Sequence, residues 1–127
     1  MAEPTVSATI ATVVTESDTA RALGSGDVDV LGTPRVLALA EAATVRAAAA
    51  SLSPGQTSVG SRVELDHLAP AGVGTTVEAE ATLVDRSGRR LTFDVRVTQG
   101  DRTVATARIT RAIVDRDRFQ ASTDDRG

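Results

Sequence analysis

The chain has no cysteine, tryptophan or tyrosine, and only two phenylalanines in 127 residues. Without a thiol there are no disulfides and no thiolate metal sites. With one histidine in addition, a zinc centre is not expected. Too few aromatics remain to stack unpaired bases. The net charge of −3 lacks the basic stripe of a nucleic-acid binder, so no nucleic-acid partner is expected. No apolar run reaches the roughly 18 residues of a membrane span, and no membrane partner is expected. Met1-Ala2-Glu3-Pro4 has neither the basic start nor the apolar core of a signal peptide, which makes a cytoplasmic protein the expectation. Gly-x-Ser-x-Gly is absent, which argues against a serine-hydrolase elbow. Gly72-Val73-Gly74 is followed by neither Lys-Ser/Thr nor a helix, so it reads as a turn and not a phosphate loop.

The core must therefore come from Val, Ala, Leu and Ile. The length fits one domain, expected over residues 1–119, with a disordered tail over 120–127 and charged, frayed chain from Asp115 onward. A small core poor in aromatics is marginal alone, which points to oligomerisation.

The organising stretch is Thr33 to Leu52, an Ala- and Leu-rich segment of about five helical turns. Thr33 suits the cap, Pro34 the first helical position, and Ser53-Pro54-Gly55 the stop. The segment is apolar nearly all round, which predicts a helix buried on most sides. Glu41 stands in its middle, and burying that charge is costly unless something compensates.

Elsewhere the pattern has a period of two. Strands are expected over 5–14, 57–68, 74–85, 90–99 and 102–115, with a short helix over 17–23 capped by Ser17 or Asp18. Asp85-Arg86-Ser87-Gly88 and Gln99-Gly100-Asp101 carry turn chemistry and predict antiparallel hairpins. Leu91, Phe93, Val95 and Val97 share one face of their strand, the pattern of a sheet wet on its other side. Val104 and Ile109 differ in parity, which predicts a bulge. The sum is an α+β fold: one antiparallel sheet curled round one helix. A sheet cannot cover that helix completely, and a second subunit could supply the rest.

His67 is the only histidine. Parity sets Val63, Leu65 and His67 on the helix side and Arg62, Glu64 and Asp66 on the solvent side. His67 then points toward the interior that holds Glu41, and the two form a candidate acid–base pair. The alternative is structural: His67 ends a strand with a satisfied hydrogen bond, and Glu41 pairs with Arg46 or Arg35. Thr33 is a cap, or it stands where free helix N–H groups can hold an oxyanion. Gly60 marks a bulge, or a close backbone approach that offers an N–H to a ligand.

Taken in order, Thr33-Pro34, Glu41, Val59-Gly60, His67-Leu68-Ala69-Pro70, the Gly88-Arg89-Arg90-Leu91-Thr92-Phe93 hairpin and Thr110-Arg111-Ala112-Ile113-Val114 resemble the hot-dog-fold thioesterases related to fluoroacetyl-CoA thioesterase. The resemblance spans roughly residues 28–119. It implies a hot-dog fold and a homodimer with joined sheets and two long helices at the interface. It also implies an acyl-CoA thioesterase with no cofactor, coenzyme A being part of the substrate. Thr33, Glu41 and His67 are the catalytic residues it implies, and Gly60 the residue whose amide holds the thioester carbonyl. Two departures stand out. Ile109-Thr110-Arg111 replaces the family's His-Glu-Arg and keeps only the arginine. The segment before Thr33 has no aromatic gate, so a Val-, Leu- and Ala-lined pocket suits a small or medium acyl chain. A non-catalytic acyl-CoA or hydrophobic-ligand binder is the other reading. A hydratase of the same fold fits less well, because the long helix lacks the Asp–His pair such enzymes use.

Overall fold

The computed structural model describes residues 5–124. Met1–Pro4, and residues 125–127 of the expected tail, lie outside the described residues. The long helix α2 spans Thr33–Ala48 and tightens into a 3-10 turn over Ala49–Ser51. Its cap is Gly32, not Thr33; Thr33 is already the first helical residue. Val36, Leu39, Ala40, Ala43, Thr44, Ala47 and Ala48 are buried on one face. Ala38, Val45 and Ala49 are exposed on the other. The expectation of a helix buried on most sides is therefore corrected. Within one chain it is covered on one side only, because a single sheet can reach only one side.

Five antiparallel strands form that sheet: β1 Ser7–Val13, β2 Gln56–His67, β3 Thr76–Ser87, β4 Arg90–Gln99 and β5 Arg102–Asp115, in the order β1-β3-β4-β5-β2. The β3–β4 and β4–β5 hairpins turn at Gly88 and Gly100, both with positive φ, where glycine carries no steric cost. Leu91, Phe93, Val95 and Val97 are buried against the helix, together with Val77, Ala79 and Ala81 of β3. The predicted bulge of β5 falls at Val104: Val97 pairs with Ala105 and Thr98 with Thr103. Its carbonyl accepts from the N–H groups of both Leu68 and Ala69, which anchors the chain just past His67.

Two smaller expectations change. The 17–23 helix is split into a 3-10 turn over Glu16–Asp18 and a four-residue helix α1, Ala20–Leu23. Its cap is Thr19, whose hydroxyl accepts from the Ala22 N–H. After Asp115 the chain is not frayed but forms a helix, α3, over Arg116–Ala121.

Candidate active site

Register confirms the parity of β2. Val63 pairs with Ile109, Leu65 with Ala107 and His67 with Ala105. On β4 the same β5 residues face Phe93, Val95 and Val97. His67 thus lies on the helix side. Its Nδ1 is 2.8 Å from the Thr33 hydroxyl. Because Gly32 takes the cap position, that hydroxyl is free to turn toward the ring. The other ring nitrogen, Nε2, is buried and has no hydrogen-bond partner among the described residues. His67, Val30, Leu68, Ala69 and Pro70 line a cleft of about 220 Å³.

Glu41 lies further along α2 and meets a different part of the sheet. Its side chain keeps 36% of its surface exposed, so the expected fully buried charge is corrected to one at the margin of the core. Neither Arg46 nor Arg35 is its partner. Arg35 binds Asp18 and Arg46 reaches the Thr9 carbonyl. The cation facing Glu41 is Arg111, with Nη1 3.8 Å from Oε2. Arg111 is buried and donates to the Ser58 hydroxyl, the Ser58 carbonyl and the Thr44 hydroxyl. Burial pulls its guanidinium below the usual arginine value, and the Glu41 charge opposes that shift.

Gly60 explains how the carboxylate fits. A Cβ at this position would sit 2.6 Å from Glu41 Oε2, inside van der Waals contact. Only a bare backbone leaves room for the carboxylate. The strand is also bulged there: Gly60 pairs with Arg111 and Arg62 with Thr110, so Ser61 is the extra residue. The bulge turns both Gly60 and Val63 toward the helix, despite their opposite parity in sequence.

The four expected site residues therefore form two pairs, Thr33 with His67 and Glu41 with Gly60. Among the described residues no hydrogen bond or ion pair links Glu41 to His67. Eight helical residues separate Thr33 from Glu41, about 12 Å along the axis. Arg111, Thr44 and Ser58 complete the Glu41 cluster and went unassigned from the sequence. The available signal was parity, since Arg111 occupies a core-facing position between Ile109 and Ile113.

Residues 14–117 match the family model described as fluoroacetyl-CoA-specific thioesterase. The fluoroacetyl-CoA thioesterase of Streptantibioticus cattleyicolor is 33% identical over 93 residues, covering 73% of this chain and 67% of that one. A crystal structure of the fluoroacetyl-CoA thioesterase FlK superposes with a TM-score of 0.87 at 29% identity, over 97% of this chain and 96% of that one. A thioesterase superfamily member from Thermus thermophilus gives 0.87 at 26% identity, over 95% and 90%. The architecture is the hot-dog fold of these thioesterases.

Proposed function

The chain belongs to the fluoroacetyl-CoA-specific thioesterase family, and on that footing we propose that it hydrolyses acyl-CoA thioesters with small or medium acyl groups. The observation that carries the reading is the Glu41 carboxylate lying on the bare backbone of Gly60, with Arg111 behind it. A mutant of FlK has been crystallised with fluoroacetate and coenzyme A, which supports an acyl-CoA substrate. The segment before Thr33 has no aromatic residue, which supports an unfluorinated acyl group.

Glu41 acts at the thioester carbonyl carbon, as the base that takes a proton from the attacking water or as a nucleophile whose acyl anhydride water then hydrolyses. The carbonyl oxygen gains charge as the C–O bond forms, and the Gly60 N–H holds it. The C–S bond then breaks, and His67 gives the departing thiolate its proton. Thr33 holds the ring through Nδ1. No cofactor takes part.

A homodimer unites the two pairs. β2 is an edge strand, and Val63 on it is 37% exposed on the helix side. Two copies of β2 pairing antiparallel about a mid-strand two-fold axis would set His67 of one subunit beside Gln56–Gly60 of the other. Glu41 of the partner subunit follows, because it lies on Gly60.

Free coenzyme A release from a panel of acyl-CoAs tests the activity. Glu41→Gln should lower kcat by orders of magnitude while the melting temperature holds. Mixing inactive Glu41→Gln and His67→Ala proteins tests the shared site. In a heterodimer one site then carries both substitutions and the other neither, so activity should return to about a quarter of wild type. A site built within one chain would give no recovery. Ligand-dependent thermal shift without thiol release would instead favour the binding protein.

A further inference from the structure

Thr44 is fully buried on the face of α2 that it shares with Ala40, Ala43, Ala47 and Ala48. Valine has the same shape and would fill that place with no polar group to satisfy. A hydroxyl there needs partners, and it has two. Thr44 follows Glu41 by three positions, so the two stand on neighbouring turns. Its hydroxyl donates to the Glu41 carbonyl at 2.6 Å. With its one proton committed, the oxygen offers only lone pairs to other groups. The donor it meets is Nη1 of Arg111, at 3.4 Å.

Nη1 is also the nitrogen that faces the Glu41 carboxylate, and it stops 3.8 Å from Oε2. That separation allows Coulomb attraction but lies beyond hydrogen-bond distance. The rest of the guanidinium is held from β2. Nε donates to the Ser58 hydroxyl at 2.8 Å and Nη2 to the Ser58 carbonyl at 3.0 Å. A guanidinium is planar, and its N–H groups diverge in a rigid fork. Three acceptors on two elements therefore set both the place and the tilt of the group. Among the described residues no other cation stands within ion-pair distance of Glu41. Arg35 and Arg46, on the same helix, are bonded to Asp18 and to the Thr9 carbonyl.

We propose that Thr44 is a positioning residue that holds the Arg111 guanidinium back from the Glu41 carboxylate. This role rests on the acyl-CoA reading given above, in which Glu41 needs a lone pair free to attack or to take a proton. A guanidinium in direct hydrogen bonds to a carboxylate occupies those lone pairs. It also stabilises the charged form, which makes the carboxylate a weaker base and nucleophile. Held back, the same cation still offsets the Glu41 charge at the margin of the core. Thr44 does this by competing for Nη1, and Ser58 by fixing the other two nitrogens.

Thr44→Val keeps the shape and removes the hydroxyl. Its crystal structure should show Nη1 of Arg111 moved to within hydrogen-bond distance of Glu41, whereas Thr44→Ser should keep the wild-type separation. In hydrolysis of an acyl-CoA, Thr44→Val should lower kcat about tenfold with KM unchanged, and Thr44→Ser should restore kcat to within about twofold of wild type. An Arg111 that keeps its place in Thr44→Val, an undiminished kcat in that variant, or a loss that Thr44→Ser fails to restore overturns the role. Ser58→Ala, which frees Nε, should shift Arg111 and lower kcat in the same sense, and supplies the same two readings should Thr44→Val not fold. If wild type hydrolyses no acyl-CoA, the thioesterase reading falls, and the crystal structures still decide whether Thr44 holds the guanidinium.

Discussion

At Gly60 the presence or absence of one methyl group decides whether the carboxylate has room. The Cβ of an alanine would meet Glu41 Oε2 at 2.6 Å, and the end of a flexible side chain moves more easily than a strand. Gly60→Ala should therefore fold, with a melting temperature close to wild type, and displace the carboxylate. Misplacement by about an ångström can cost on the order of a hundredfold in rate, so kcat should fall by about that factor. Of the two readings of Gly60 from sequence the bulge holds, and the group that closely approaches its backbone is the Glu41 carboxylate. The structural alternative for Glu41, a pairing with Arg46 or Arg35, does not hold, since those arginines bind Thr9 and Asp18. The partner, Arg111, is 70 positions away, and only strand register brings it there. Arg111→Met should destabilise the protein by about 2–3 kcal/mol in chemical denaturation, since it leaves buried Thr44 without its donor, Ser58 unpaired and Glu41 without its cation. Burial lowers the guanidinium pKa but leaves it charged at ordinary pH.

At the level of elements, hydropathy period identified all five strands and the long helix, because each packs one face and the period records that face. The caps were read less well. Thr33 and Gly32 are adjacent and exchange the expected roles: Gly32 is the cap, and the Thr33 hydroxyl makes its bond to His67 instead. The first turn of the chain shows a similar shift, from Ser17 or Asp18 to Thr19. Asp18 is instead the acceptor of a small network, taking the Thr15 N–H and hydroxyl and the Arg35 guanidinium. The Thr15 backbone N–H, foremost among these, holds its carboxyl below the usual aspartate value. A depressed carboxyl stabilises the fold fully above its unfolded pKa and loses that contribution as pH falls through the folded one. Asp18→Asn should therefore melt below wild type near neutrality, and the gap should close as the pH is lowered through the acid range, read by thermal melts across pH.

For the whole molecule, the sheet has two edges and the helix one uncovered side. β2 is an edge strand, and Val63, on its helix side, is partly exposed. The helix leaves Ala38, Val45 and Ala49 exposed. Val63→Arg sets a charge at the middle of the proposed seam. If the proposed dimer forms, the variant should be monomeric in light scattering and lose hydrolysis, while each chain keeps its Thr33–His67 and Glu41–Gly60 pairs. A monomeric variant with full activity would show that one chain suffices.

The order of residues alone determined the α+β class, the hairpins, the core face of β4 and the inward parity of His67, since each depends on local turn chemistry or on a period of two. It also singled out Thr33, Glu41, Gly60 and His67. Tertiary structure alone decided how those four are distributed, which cation answers Glu41, and that the helix is covered on one side within a chain. Those outcomes depend on register across strands distant in sequence and on a one-residue bulge, and a linear pattern does not encode them.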